Sequence, residues 1–189
     1  MRRFYQILLP LTGLFFNRVE LTDLWPLKIK VLEYKVLDGD TIKARLGGFH
    51  ESIRLIPIDA PEMGQPFLTQ NGDAGDYSKQ CLNRILKDHS LELQWGKRDM
   101  YGRLLGELFI QQKSVSRLMV EKGCSFIYLY SKFNSKQEKT SWIHLQRLAQ
   151  KKRIGLWAYG VMSPYHYRKI QKKGRPFGRP YQKYHSRKN

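Results

Sequence analysis

Ile42, Ala44 and Leu46 alternate with Lys43 and Arg45, and Gly47-Gly48 breaks the run before a second apolar stretch, Ser52 to Ile58. Alternation with period two marks a strand buried on one face. A glycine pair between two such runs reads as a tight turn. Leu27 to Leu37, Leu91 to Trp95 and Leu104 to Ile110 are three more strand candidates. Between and after them the spacing changes. Asp73 to Asp88 carries Tyr77, Cys81 and Ile85, with Leu82 and Leu86, at intervals of four, which is one face of a helix. Val115 to Lys122, stopped by Gly123, and Gln137 to Lys152, stopped by Gly155, are two more helices. Five short strands and three helices predict an α+β domain, a small barrel with helices packed outside it. A chain of 189 residues holds one such domain with appendages and is too short for two ordinary ones.

The appendages stand out by composition. Residues 1–26 form an apolar leader and linker, residues 27–160 hold the regular periodicity, and residues 161–189 form a basic tail. In the leader, Met1-Arg2-Arg3 precedes Phe4 to Phe16, which is apolar apart from Gln6, Pro10, Thr12 and Gly13. That is short of the ~20 residues of a spanning helix. The charged start and apolar middle suit a secretory signal, yet no small-x-small cleavage site follows. An uncleaved anchor, an export signal and a packed N-terminal helix all fit. The expectation is a secreted or membrane-anchored protein, with a cytoplasmic place still open. The tail carries Arg168, Lys169, Lys172, Lys173, Arg175, Arg179, Lys183, Arg187 and Lys188 and no acidic residue. With little to bury, it is expected to lack regular structure on its own.

Lys and Arg number 34 against 16 Asp and Glu, a formal charge of +18. Such an excess attracts a polyanion through counterion release and long-range steering. A ribosomal-type or merely soluble basic protein would show the same balance. Tyr165, Tyr167, Phe177, Tyr181 and Tyr184 interleave with the tail cations, which suits single-stranded nucleic acid, and equally a solvated extension. Cys81 and Cys124 are the only cysteines and read as core fillers. Neither they nor the five histidines show zinc spacing.

The chemistry lies in three short pieces: Asp38-Gly-Asp40-Thr41, then Arg54-Leu-Ile-Pro-Ile-Asp59-Ala-Pro-Glu62, then Asp99-Met-Tyr101-Gly-Arg103. Singly, each has an ordinary reading as a turn, a helix entrance or a hairpin. Jointly they place three carboxylates and two arginines in turn-rich positions at strand ends, where a rigid scaffold presents functional groups. Asp40, Asp59 and Glu62 brought together would repel unless a cation neutralised them. Hard oxygen donors suit calcium or magnesium, and Arg54 and Arg103 match phosphate oxygens in a way lysine does not. Arg54 and Asp59 are five residues apart, so strict alternation would put them on opposite faces. Pro57 is the place for the strand to end or bulge and turn both inward.

The ordered set, with Tyr128-Leu-Tyr130 and Gly155-Leu-Trp157 further on, resembles the staphylococcal (thermonuclease, micrococcal) nuclease family over about residues 28–158. The resemblance implies a five-stranded OB-type β-barrel with about three helices, an architecture that binds nucleic acid. It implies a calcium-dependent endonuclease of little sequence preference that acts on DNA and RNA and leaves 3′-phosphates. By the same resemblance Asp40 and Asp59 would ligate Ca2+ together with the backbone carbonyl of Ala60. Glu62 would act on the attacking water, and Arg54 and Arg103 would stabilise the phosphate. Tyr101 would contact a phosphate, and Tyr128 and Tyr130 would line the nucleotide pocket. No obligate protein partner is implied. Substrates that are single-stranded or frayed would be favoured, and membrane association through the N-terminal segment is a further expectation. The alternative is a non-catalytic nucleic-acid-binding module on the same barrel. Ala60 replaces a frequent threonine, Met100 a basic residue, and Met63 to Gly72 has no match in the family prototype.

Overall fold

The alternating runs close into a barrel. The computed structural model describes residues 28–128 and 136–174. The leader, Tyr130 and the tail from residue 175 lie outside the described residues. Strand β1 (Ile29–Val31) and strand β2 (Glu33–Val36) are halves of one run, broken at Leu32, whose N–H donates to the carbonyl of Arg45 at 3.0 Å. They are followed by β3 (Thr41–Leu46), β4 (Phe49–Leu55) and the short β5 (Ile58–Asp59). Helix α1 (Ala74–Leu86) comes next, then β6 (Leu91–Arg98) and β7 (Leu104–Ile110). The sheet runs β1-β6-β7-β4-β3-β2, with only the β4–β7 pair parallel. Because β1 and β2 are one run, the path ends where it began. The result is a nearly closed five-stranded barrel, which hides strand edges.

After the barrel come β8 (Lys113–Ser114), α2 (Val115–Glu121), β9 (Phe126–Ile127) and α3 (Lys136–Lys151). Two short helices, α4 (Leu156–Tyr159) and α5 (Pro164–Gln171), complete the described chain. Ile42, Ile53, Leu55, Leu93 and Leu108 fill the barrel, and Leu82 and Leu86 of α1 pack against the same core. Gly155, just past α3, has φ +60°, and a Cβ there would strike the carbonyls of Lys122 and Gly123. The backbone freedom of glycine thus sets how closely this turn meets the end of α2.

Three features differ from the sequence-based expectation. β6 continues past Trp95 to Arg98, through a register shift between those residues. Cys81 and Cys124 are not free thiols but a disulfide, with Cα atoms 6.1 Å apart, and both are buried. The segment after residue 160 begins with a helix rather than irregular chain. Ser163 caps α5 by accepting from the N–H of His166, Pro164 opens its first turn, and Tyr167 is buried. A cap, a proline at the start and one anchored aromatic outweigh the basic composition.

The buried acid Glu107 contributes to the pH response. Glu107 sits on β7, where its Oε1 accepts from Ser114 Oγ at 2.8 Å and from the backbone N–H of Ser116 at 3.1 Å, at the start of α2. Burial nevertheless pushes its pKa from 4.5 up to about 7. A carboxyl with a raised folded-state pKa favours the fold below its unfolded pKa, and that benefit fades as pH climbs through about 7. Glu107→Gln keeps an accepting oxygen and removes the ionisation. It is expected to raise stability at pH 8 by about 1–3 kcal/mol and to flatten the decline from pH 5 to pH 8. Thermal melts across that range check this, and identical slopes in both proteins would place the linkage elsewhere.

Candidate active site where β3 begins and β4 ends

The turn Asp38-Gly39-Asp40 links β2 to β3, and it is held by local bonds. Asp40 N–H donates to Asp38 Oδ1 at 3.0 Å, and Leu37 N–H to the Thr41 carbonyl at 2.9 Å. Gly39 is required by packing, since a Cβ would run into Ser78 of α1 and Ala60. Thr41 pairs with Arg54 in the β3–β4 register, so the start of one strand lies beside the end of the other. Leu55 N–H then donates to the Asp40 carbonyl at 2.7 Å. This stitches the first motif to the second.

Between β4 and β5, Ile56 and Pro57 form a turn with a cis peptide bond. The strand alternation restarts there, and Arg54 and Asp59 face each other. Arg54 Nη2 lies 3.1 Å from Asp59 Oδ1, and Arg54 Nη1 2.8 Å from Asp40 Oδ2. One guanidinium therefore joins two carboxylates that are each only 6% exposed. Asp40 Oδ2 also accepts from the backbone N–H of Ala60 at 2.6 Å, and Oδ1 from Thr41 Oγ1 at 3.1 Å. Burial still dominates, and Asp40 is pushed from 3.8 up to about 7 although Arg54 pulls the other way.

Glu62 follows on an irregular segment pinned by Gln65, which is fully buried. Gln65 Oε1 accepts from the N–H of Glu62 at 3.2 Å, and the N–H of Gln65 donates to the Glu62 carbonyl at 3.0 Å. The Gln65 carbonyl in turn accepts from the N–H of Ala74, the first residue of α1, at 2.7 Å. Gly75 lets α1 approach, because a Cβ there would overlap the Glu62 carbonyl. The Glu62 side chain is 43% exposed, in contrast to the two aspartates.

A third arginine enters from α5. Arg168 Nη2 lies 2.9 Å from Asp59 Oδ2, and its Nη1 lies 3.2 Å from Asp59 Oδ1 and 2.7 Å from Glu62 Oε1. Burial alone would lower its pKa, but the bonds to Asp59 and Glu62 raise it, so it stays charged. Composition had placed Arg168 in an irregular tail. The signal that marks it is local: Ser163-Pro164 is a helix start, and Arg168 follows one turn later.

The third motif folds as its own loop. Asp99 Oδ1 accepts from the N–H groups of Tyr101 and Arg103, and Asp99 Oδ2 from Arg103 Nε at 2.8 Å. Partial burial works against Asp99, yet these bonds hold its carboxyl below the usual range. Arg103 is paired within this loop rather than with Asp40 or Asp59, and it lies 5.5 Å from the centre of the Tyr101 ring. The β4–β7 register sets Leu105 opposite Arg54, and Arg103 lies two residues before Leu105. Tyr101 is 76% exposed. Tyr128 N–H donates to the Pro57 carbonyl at 2.7 Å, and Tyr128 and Asp59 line one cleft of about 730 Å³ with Phe126, Pro164, Tyr165 and Lys169. Tyr130 lies outside the described residues.

The donor chemistry fits a hard divalent cation. Asp40 and Asp59 are buried oxygen donors gathered around cationic groups, and no thiolate or imidazole joins them. Among the described residues no group of three or more His, Cys, Asp and Glu side chains is placed to hold a metal. An ion here would depend on two carboxylates, a backbone carbonyl and oxygens from water or substrate, as magnesium and calcium accept.

Comparison with known proteins identifies the family. Residues 52–159 match the family described as staphylococcal nuclease homologue, so the match begins after Asp40. A micrococcal nuclease of Shigella flexneri is 27% identical over 148 residues, covering 73% of this chain and 79% of that protein. An uncharacterized endonuclease of Escherichia coli O157:H7 is 30% identical over 125 residues, covering 66% and 74%. A probable staphylococcal-like nuclease of Oryza sativa subsp. japonica is 30% identical over 123 residues, and the chain spans 34% of that longer protein. The matched stretch exceeds half the chain and contains Asp59, Glu62 and Arg103, and the chain belongs to the staphylococcal nuclease family.

Proposed function

We propose that this protein is an endonuclease that hydrolyses phosphodiester bonds of DNA and RNA with the help of a calcium ion, leaving 3′-phosphates. The observation that carries the reading is the convergence of Asp40, Asp59, Glu62 and Arg54 where two barrel strands meet. Asp40 and Asp59, with the Ala60 carbonyl, would hold the ion. A bound calcium supplies Lewis acidity toward a phosphoryl oxygen and a site for water. Glu62, the most exposed of the three carboxylates, takes the proton from the attacking water. Arg103, on its preorganised loop, and Arg54, after exchanging a carboxylate for a phosphate, stabilise the charge that gathers on the phosphoryl oxygens. Tyr101 and Tyr128 are assigned as contacts for phosphate and base, with Tyr130 assigned to the same pocket.

Several finer expectations belong to the same reading. The basic tail supports attraction to nucleic acid, with single-stranded or frayed regions favoured because their bases are free to stack. Export, by cleavage or with the leader as an anchor, is supported by the buried Cys81–Cys124 bond, since disulfides persist in oxidising compartments. No helix of the described residues is long and apolar enough to cross a membrane. The second reading, a binding module without activity, makes no use of a buried carboxylate pair.

Incubation of the purified protein with single-stranded DNA in calcium, magnesium or chelator tests the proposal. Cleavage is expected in calcium and is expected to vanish in chelator. Tight binding without cleavage under either ion would leave the barrel as a grip for nucleic acid.

A further inference from the structure

Two parts of the chain far apart in sequence hold each other. The segment Met63 to Gly72 forms the seat of α5. Gln65 Nε2 donates to the Met162 carbonyl at 2.6 Å, Leu68 N–H to the Gly160 carbonyl at 2.9 Å, and Thr69 N–H to the Tyr159 carbonyl at 3.1 Å. Tyr167 Oη reaches the Gly64 carbonyl at 3.3 Å. The seat therefore fixes the angle at which α5 delivers Arg168. That guanidinium makes three bonds, to both oxygens of Asp59 and to one of Glu62. Under the proposed function these are a metal ligand and the group that acts on water.

We propose that α5 is a built-in latch: Arg168 neutralises Asp59 and Glu62 in the resting protein, and must leave before a divalent cation and a phosphodiester can use them. This rests on the proposed metal-dependent reading and adds regulation of the same site. The latch is reversible by construction. Among the eight residues of α5 only Pro164 and Tyr167 are buried, and so short a helix has little stability of its own. Arg168 is 37% exposed at the side chain, so solvent reaches the pair and weakens it. A doubly charged ion bound between carboxylates competes with one delocalised positive charge. The nucleic-acid backbone then offers Arg168 a second anion, which favours release further.

The competition predicts a coupling between Arg168 and the metal. In calorimetric titration of the full chain, Arg168→Gln is expected to bind calcium about tenfold more tightly than wild type. Hydrogen exchange on the wild type gives an independent reading that does not depend on the variant folding. Saturating calcium is expected to speed exchange of the Tyr167 and Lys172 amides, which α5 protects by bonds to Ser163 and Arg168. Equal or weaker calcium binding by Arg168→Gln, or α5 amides that stay protected in calcium, would overturn the latch. An unchanged affinity with turnover lost would make Arg168 a phosphate ligand instead, which also overturns it. Binding of calcium by neither protein removes the metal reading along with the latch, whereas equal binding by both removes the latch alone.

Discussion

Glu62→Gln is expected to lower phosphodiester turnover at saturating calcium by about 10²-fold or more, the scale of a positioned base. The substitution is a useful test because the segment is held by the Glu62 backbone, and the one side-chain contact it alters is the bond to Arg168 at 2.7 Å. Glu62 is held through its backbone by Gln65 and by the approach of α1 at Gly75, and glutamine leaves both in place. The side chain is 43% exposed, so the solvent-screened pair it makes with Arg168 contributes at most about 1 kcal/mol to stability. Lost turnover with an unaltered melting temperature and retained oligonucleotide binding would locate the defect in the chemical step. Arg103→Ala is expected to fall on a similar scale for a different reason, loss of an oxyanion stabiliser. Its loop keeps the Asp99 bonds to backbone N–H groups, so the fold survives this change also. Near-normal rates in either purified variant would refute the role given to that residue.

Much of this site was legible in sequence because its residues are neighbours in the chain or are carried by regular alternation. The strand from Thr41 to Leu46 could be read from its period-two pattern, the other four from short apolar runs, and α1 from Tyr77, Cys81 and Ile85 at helical spacing. What stayed hidden depends on contacts between distant residues. Arg54 and Asp59 count to opposite faces until the Ile56-Pro57 turn restarts the alternation. Composition made Arg168 one cation among nine, and nothing local reveals that it reaches Asp59 and Glu62, 109 and 106 positions earlier. The seat that aims it, Met63 to Gly72, showed only as a departure from the family pattern. Two distant segments that pack on each other look in sequence like two unrelated features. The cysteine pair is similar, since two cysteines 43 residues apart carry no spacing signal.

Removal of that disulfide is the other large effect to expect. Cys81→Ala with Cys124→Ala is expected to cost about 2–4 kcal/mol of stability, or roughly 5–15 °C in melting temperature. The bond closes a loop of 43 residues' separation and ties the middle of α1 to the segment that follows α2. Without it the unfolded chain regains the entropy of an open loop, and two buried sulfur positions lose packing. The consequence reaches the site. Ser78, one turn before Cys81, donates to the Cys124 carbonyl at 2.6 Å and backs Gly39 next to Asp40. β9, just beyond Cys124, pairs with β5, so Asp59 sits opposite Phe126. Looser tethering of α1 to this segment therefore loosens both buried aspartates, and calcium affinity is expected to fall with stability. Urea unfolding with and without reductant separates the causes. Wild type in reductant should unfold like the double variant, and the variant itself should ignore reductant. A wild type equally indifferent to reductant would mean that Cys81 and Cys124 stand as packed thiols, and that α1 is tied to the Asp40 turn by Ser78 without help from a sulfur bridge.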